Sequence, residues 1–461
     1  MNQETQEAML ALLDKELVVA LGCTDVSAIA YAAALASAAS ASAPSVNRGA
    51  ERLEILAITV RASGNIIKNA MGVGIPGTAF KGLAHAAALG ALAGDPSKAL
   101  TALECIAPSD LERAEALVAA GLVRAEMAVG EGQLFIEVTV ATQAGRGVAA
   151  IRDEYDRVAY VRAEGGAARG SAGDAPAAPT SAATPGKSAG AAPGASAGAS
   201  PHPRHYSPSL ADIVDFVRCV PAERLGLIAK AIELNSAISA EGLAGDYGLK
   251  LGKTLKKQVA AGLLADDLAT GAISAAAAGV DARMAGSPFP VVANTGSGNQ
   301  GITATMPVVA AGRYLNASDE RILRAVALSH LVAIHIKSGF GLLSGLCGAM
   351  VAGTGASAGI AWLLSDTREA VERAIQNMIG SLTGMACDGA KASCALKVST
   401  ATSAAVQSAL LAASGLSVSG VEGIVDADPE RSIGNLARLA REGSPAMDAL
   451  ILGIMIDKTK A

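Results

Sequence analysis

Six cysteines occur in the chain, and three stand in settings that could do chemistry: Cys23 in Leu-Gly-Cys-Thr-Asp, Cys347 in Leu-Cys-Gly, and Cys387 in Met-Ala-Cys-Asp-Gly-Ala-Lys-Ala-Ser-Cys. A glycine within two residues of each lets the backbone come close to a bulky group. Scattered thiolates in such settings suit an iron–sulfur cluster, and Cys394 could serve the same centre. No C-x-x-C pair or ferredoxin-type run is present, which argues against zinc ribbons, thioredoxin-like redox sites and electron-transfer ferredoxins. Widely separated ligands fit a catalytic cluster in a deep pocket, with one iron free of protein. The plain alternative for all four is a buried structural thiol. Polar company shifts the balance: His330 and His335 lie five apart, Lys337-Ser338 follows, and Asp388, Lys391, Ser393 and Lys397 crowd the Cys387–Cys394 segment. A buried lysine or histidine at a thiolate site is an acid/base candidate, although either histidine could equally be a satisfied core side chain. Cys105 and Cys219 lack such settings and read as buried small apolar residues.

Two glycine-rich loops could grip a small anion. Asn294-Thr-Gly-Ser-Gly-Asn-Gln-Gly301 contains a G-x-G-x-x-G match. A dinucleotide site needs a βαβ unit with an acid ending its second strand. Here Asp319 and Glu320 start a helix, and Pro307 follows the loop closely. A nest of backbone N–H groups in this loop, around Gly296 and aided by Asn294, Thr295, Ser297 and Asn299, is the better reading; a simple turn between elements is the bland one. Ser63-Gly64-Asn65 is a similar loop, with Lys68 three residues on, and its bland reading is a helix cap. Residues 247–254 resemble a P-loop but have Tyr247 where the first glycine is required, which excludes one.

These residues must be positioned by a chain of 461 residues, long enough for two or three domains. Net charge is −5, with no basic block, so a nucleic-acid partner is not expected. Mean hydropathy is positive. The uncharged stretches 339–364 and 398–420 are rich in Gly, Ala, Ser and Thr and have no aromatic belt, so they read as buried helices of a soluble protein rather than membrane spans. The N-terminus is polar and acidic, without the features of a secretory signal, and a cytoplasmic location is expected.

Residues 1–163 read as an α+β domain carrying Cys23. It has helices over 3–43, a β-branched strand over Leu53–Ala62, and a hairpin from 134–141 and 146–162. Residues 164–208 are Ala, Gly, Ser and Pro and read as a disordered linker or insert, with His202 and His205 in it as solvated side chains. Residues 209–461 read as mostly helical. The fold class is therefore α+β, and the site is expected at the interface of the two halves.

The stretches Gly22-Cys-Thr-Asp, Ser63-Gly-Asn-Ile-Ile-Lys-Asn69, Gly74-Ile-Pro-Gly77, Asn294–Gly301, Ser329-His, Ile336-Lys-Ser338 and Leu382–Cys394 together resemble the L-cysteine desulfidase family, which belongs with the iron–sulfur L-serine dehydratases. The resemblance covers nearly the whole chain outside 164–208. It implies a helical domain of the serine dehydratase alpha-chain type and an oxygen-sensitive [4Fe–4S] cluster on Cys23, Cys347 and Cys387, with Cys394 as the alternative third ligand. It also implies β-elimination of L-cysteine to pyruvate, ammonia and hydrogen sulfide without pyridoxal phosphate. Lys337 and His330 are the first candidates for the base, with Lys68 and Lys391 behind them. Ser63, Gly64, Asn65 and the Asn294–Asn299 loop would hold the substrate carboxylate. L-Serine dehydration on the same machinery, and a cluster-free anion-binding protein, are the alternatives. A small amino-acid substrate is the expected partner, and a homo-oligomer is open. Asp25-Val26 stands where Glu-Pro is common in that family.

Overall fold

The computed structural model describes residues 1–40, 54–164, 208–340 and 344–460. Most of the 164–208 stretch, with His202 and His205, lies outside the described residues.

The fold is α+β. Five strands form one sheet, in the spatial order Val123–Met127, Ile55–Ala62, Phe135–Thr142, Gly145–Arg152, Val158–Glu164. The Ile55–Ala62 and Val123–Met127 strands run parallel, and the other pairs are antiparallel. The run read as one arm of a hairpin over 146–162 is two strands, because a bend and turn at 153–157 fold it back on itself. Alternation of β-branched residues buries Ile58, Val60, Ile136, Val138 and Val140 on one face. The helix Thr24–Ser40 packs there, and Gly82–Ala93 packs on that helix. Thr24–Ser40 is almost all small residues and is buried on nearly every side, which allows this close stacking.

The helical half is built around Gly348–Ser365. That helix is flanked by Gly298–Tyr314, Asp319–Ser338, Arg368–Leu382 and Cys394–Ala413. It is the one described helix long and apolar enough to cross a bilayer, and 83% of its residues are buried. The 398–420 stretch is the helix Cys394–Ala413 and the turn after it. The first helix, Gln3–Glu16, inserts Met9, Leu10 and Leu13 into the same core as Phe216 and Leu331.

A second core joins the two halves. In it Cys23, Val26 and Ile58 share contacts with Ile302, Cys347 and Ala395. The link is made by a small antiparallel pair, Leu17–Ala20 on Val291–Asn294. This pair delivers Cys23 to the glycine loop that follows Asn294. The chain turns into Cys23 through Gly22, whose φ of +66° lies in the left-handed region, and an added Cβ would meet Pro76 Cγ at 2.2 Å. Gly22→Ala is therefore expected to cost about 2–4 kcal/mol of stability, measurable by urea denaturation; an unchanged midpoint would contradict this reading of the turn.

Candidate active site

The interface holds a cavity of about 130 Å³ lined by Cys23, Cys347, Cys387 and Cys394 together. Each thiol has a local cause for its position. Cys347 is the N-cap of Gly348–Ser365, Cys394 opens Cys394–Ala413, and Cys23 immediately precedes Thr24–Ser40. Three helix N-termini thus aim their unpaired N–H groups at one space, and that field favours thiolate. Cys387 is brought in by a short antiparallel contact. Leu346 bridges Ala386, Cys347 N–H donates to Met385 O at 2.8 Å, and Cys387 N–H donates to Gly345 O at 2.8 Å. Strand alternation then turns Cys347 and Cys387 to the same side. All six cysteines are free thiols.

Burial pushes the Cys23 thiol up to about 12, aided by Asp25 and opposed by Arg283. Burial likewise pushes Cys347 to about 12, with Cys387 beside it, and raises Cys394. Among the described residues no three His, Cys, Asp or Glu side chains stand close enough to share one metal ion. Cys105 and Cys219, expected in the core, are exposed instead. Cys105 sits in a turn with Lys98 Nζ 3.8 Å from its sulfur. Cys219 ends a helix whose buried face is Leu210, Ile213, Val214 and Val217, and its position lies off that face.

Lys337 lines the cavity and is buried at the end of Asp319–Ser338. Burial lowers its pKa to about 8, against the opposing pull of Cys387 and Cys347. Among the described residues its ammonium has neither a carboxylate within ion-pair distance nor a hydrogen-bond partner; it stands 5.6 Å from the Phe340 ring. Lys68 also lines the cavity, but its ammonium is taken by Asp448 at 2.7 Å and by Cys387 O at 3.3 Å. Lys391 pairs with Asp388 at 2.6 Å and is not in the lining. Lys397 is in the lining and also pairs with Asp388. Burial works against its charge, but the Asp388 bond and the thiols outweigh that and raise its pKa. Burial works against the Asp388 carboxylate too, and the two lysines still hold it at about 2.

His330 does not reach the cavity. It is buried between Asn294 Nδ2, 3.0 Å from Nδ1, and Thr305 Oγ1, 2.9 Å from Nε2. Burial lowers its pKa to about 3, so the ring is neutral and its bonds position Asn294 at the root of the glycine loop. The sign for stability follows. An unfolded histidine takes a proton near pH 6.5, whereas the folded one does so near 3, so the unfolded state binds more protons between those values. Stability is full above pH 6.5 and is lost as pH falls toward 3, by about 1.4 kcal/mol per unit. His330→Asn should remove that part of the slope in denaturation curves taken between pH 7 and 5; an unchanged slope would show that His330 is not the group responsible.

Of the loop residues, Thr295, Gly296, Ser297, Asn299 and Asn65 line the cavity, and Ser63, Gly64 and Asn294 do not. Ser63 Oγ instead donates to Gln133 O at 2.7 Å, tying the helix Gly64–Ala70 to the sheet. The glycine loop leads from a strand into the helix Gly298–Tyr314, with Ser297 as its cap. The strand's partner is antiparallel, so no βαβ unit forms.

Several lining residues were not singled out as site residues from the sequence, among them Arg283, Tyr155 and Gln300. Arg283 ends the helix Leu268–Met284, donating from Nη1 to Asn299 Oδ1 at 3.0 Å and from Nη2 to Gly22 O at 2.6 Å. Tyr155 donates to Asp25 Oδ1 at 3.3 Å. Burial, with Asp25 and Cys23 beside it, pushes its phenol well above the usual value. Gln300 lies one turn into Gly298–Tyr314. The signal for Arg283 was present: Asp281 and Arg283 are the charged residues of an otherwise small-residue helix. Charge in such a helix needs a partner inside.

Comparison with known proteins fits this architecture. Residues 163–453 match the family model of the serine dehydratase alpha chain, and the chain belongs to this family of lyase-type enzymes. Among its relatives are the UPF0597 protein of Oleidesulfovibrio alaskensis, 41% identical over 447 residues and 97% of each chain, and that of Shewanella halifaxensis, 41% identical over 459 residues, covering 99% of this chain and all of the relative. The UPF0597 protein PBPRB0240 of Photobacterium profundum is 40% identical over 458 residues, 99% of this chain and all of the relative.

The family is known for iron–sulfur serine dehydratases, and the donor set here fits such a cluster. Four soft thiols spread around one cavity, too far apart to share a single ion, suit a polynuclear group and do not suit mononuclear zinc.

Proposed function

We propose that the chain is an iron–sulfur-dependent carbon–sulfur lyase that eliminates hydrogen sulfide from L-cysteine without pyridoxal phosphate. The observation that carries this reading is the convergence of Cys23, Cys347, Cys387 and Cys394 on one cavity that also contains Lys337, a buried lysine without a carboxylate partner among the described residues. Cys23, Cys347 and Cys387 would hold the cluster. When bound, the cluster supplies a Lewis-acid iron that stabilises the departing sulfur.

The chain's own residues do the rest. Lys337 Nζ takes the Cα proton; the electron pair left behind forms the Cα–Cβ double bond as the Cβ–S bond breaks. The 2-aminoacrylate product then hydrolyses to pyruvate and ammonia. Lys397 and the helix N-termini keep the cavity electropositive, which favours the thiolates and a carboxylate-bearing substrate. Lys68 serves as a tie to the last helix through Asp448 rather than as a base. Such a reducing, thiol-dependent site suits a cytoplasmic protein, and no nucleic-acid or membrane partner is called for.

L-Serine is the second substrate to weigh, because the family description itself names serine dehydratase. Steady-state assays of anaerobically reconstituted protein decide between them. The expected result is a kcat/KM for L-cysteine at least about tenfold above that for L-serine, a margin of about 1.4 kcal/mol; the reverse ranking would replace the desulfidase reading with serine dehydratase.

A further inference from the structure

Among the described residues, four buried polar atoms near the glycine loop lack a hydrogen-bond partner, and three of them belong to cavity residues: Arg283 Nε, Thr295 Oγ1 and Gln300 Oε1. Arg283 is 3% exposed and has no carboxylate within ion-pair distance among the described residues. A buried guanidinium bonded only to neutral acceptors, with the Asp25 carboxylate acting on it from beyond ion-pair distance, is costly, and among the described residues its Nε–H has no hydrogen-bond partner. The chain makes room for it. Gly298, the first residue of the helix Gly298–Tyr314, would place a Cβ 2.3 Å from Arg283 Nε, so a larger residue there would displace the guanidinium. The guanidinium therefore lies against a helix N-terminus, where an anion is favoured by both.

The opposite charge is equally distinct. Asp25 is the single carboxylate among the described residues lining the cavity, against Lys68, Arg283, Lys337 and Lys397. It is 5% exposed, and its oxygens meet only neutral donors: Cys23 Sγ, Asn69 Nδ2 and Tyr155 OH, each at 3.3 Å. Gln300 Oε1 is a second acceptor, without a donor among the described residues.

We infer that Arg283 and Asp25 form a clamp for the two α-groups of an amino acid: Arg283 Nε and Thr295 Oγ1 donate to the α-carboxylate, and Asp25 with Gln300 Oε1 accepts from the α-ammonium. The inference deepens the function proposed above and selects zwitterionic α-amino acids over hydroxy acids, thiol acids and amines. It makes Arg283 and Asp25 specificity-determining residues. The glycine loop then contributes a hydroxyl and a helix N-terminus, while the guanidinium supplies the charge.

The test is calorimetric binding to the anaerobically reconstituted protein with three probes that lack a leaving group: L-alanine, propionate and ethylamine. Wild type should bind L-alanine at least about tenfold more tightly than either single-group probe, the size of one charge-assisted hydrogen bond. Arg283→Gln should weaken L-alanine and propionate by about tenfold or more and leave ethylamine within about twofold; Asp25→Asn should weaken L-alanine and ethylamine and spare propionate. Thr295→Val, a near-isosteric change, repeats the Arg283 pattern more weakly and keeps the test valid if Arg283→Gln does not fold. Equal weakening of all three probes, or no preference of wild type for L-alanine, overturns the clamp. Binding of L-alanine with the predicted variant pattern, but without elimination from L-cysteine or L-serine, would overturn the function proposed above and leave the clamp standing.

Discussion

Cys347→Ser is expected to leave a folded protein that reconstitutes with little iron and turns over L-cysteine at background rate. Cys347 caps the central helix of the bundle and is 8% exposed, with its sulfur on the shared cavity. Serine keeps the cap and the volume but replaces a soft thiolate by a hydroxyl, a poor ligand for iron in such clusters. Cys23→Ser and Cys387→Ser should behave alike. Cys394→Ser separates two ligand sets. Cys394 opens a helix seven residues after Cys387, and its sulfur is 3.7 Å from Gly389 O. If Cys23, Cys347 and Cys387 are the ligands, Cys394→Ser keeps its iron; iron loss there, with retention in Cys387→Ser, would move the third ligand to Cys394. Iron and labile-sulfide content report this independently of catalysis.

Lys337→Gln should lower kcat by about 10²–10⁴-fold, the usual contribution of a positioned base, while iron content and L-alanine binding stay within about twofold of wild type. The lysine is buried, lines the cavity, and has no carboxylate partner among the described residues, whereas Lys68 and Lys391 are each held by an aspartate. Its role also fixes a sign. The base must be neutral to accept the Cα proton, and burial brings the Lys337 pKa down to about 8. Activity should therefore rise with pH through that value, and the rise should vanish in the variant's residual activity. A Lys337→Gln enzyme with near wild-type kcat would remove Lys337 from the chemistry and turn attention to Lys68 and Lys397, the remaining cavity lysines.

Much of this site was legible in the sequence because its chemistry rests on rare residue types in specific settings. Cysteines beside glycine marked the cavity, and the glycine loop, read as an anion nest or a turn between elements, leads from Val291–Asn294 into Gly298–Tyr314. The alternating residues around Ile58 and Val138 foretold the sheet. What stayed hidden depended on long-range pairing. Leu17–Ala20 sits in a run that reads as helix, and it is a strand only because Val291–Asn294 lies beside it. Val123–Met127, a mostly exposed edge strand, shows little hydrophobic alternation. His330 has the composition of a catalytic histidine, yet Asn294 and Thr305 hold it in place outside the cavity. Arg283 carries no motif; its charge in a small-residue helix signals a partner inside the protein, but which partner appears only once Gly298 and Gly22 are seen around it. Tyr155 belongs to a turn between strands, where a phenol normally faces water, and only tertiary packing brings it to Asp25.

The most direct test of the central claim is product release from L-cysteine by wild-type protein reconstituted anaerobically with iron and sulfide, with no pyridoxal phosphate added. The account predicts sulfide and pyruvate in equal amounts, from protein holding about four irons per chain, with activity lost on exposure to air. Fully loaded protein that releases neither product from L-cysteine would contradict it.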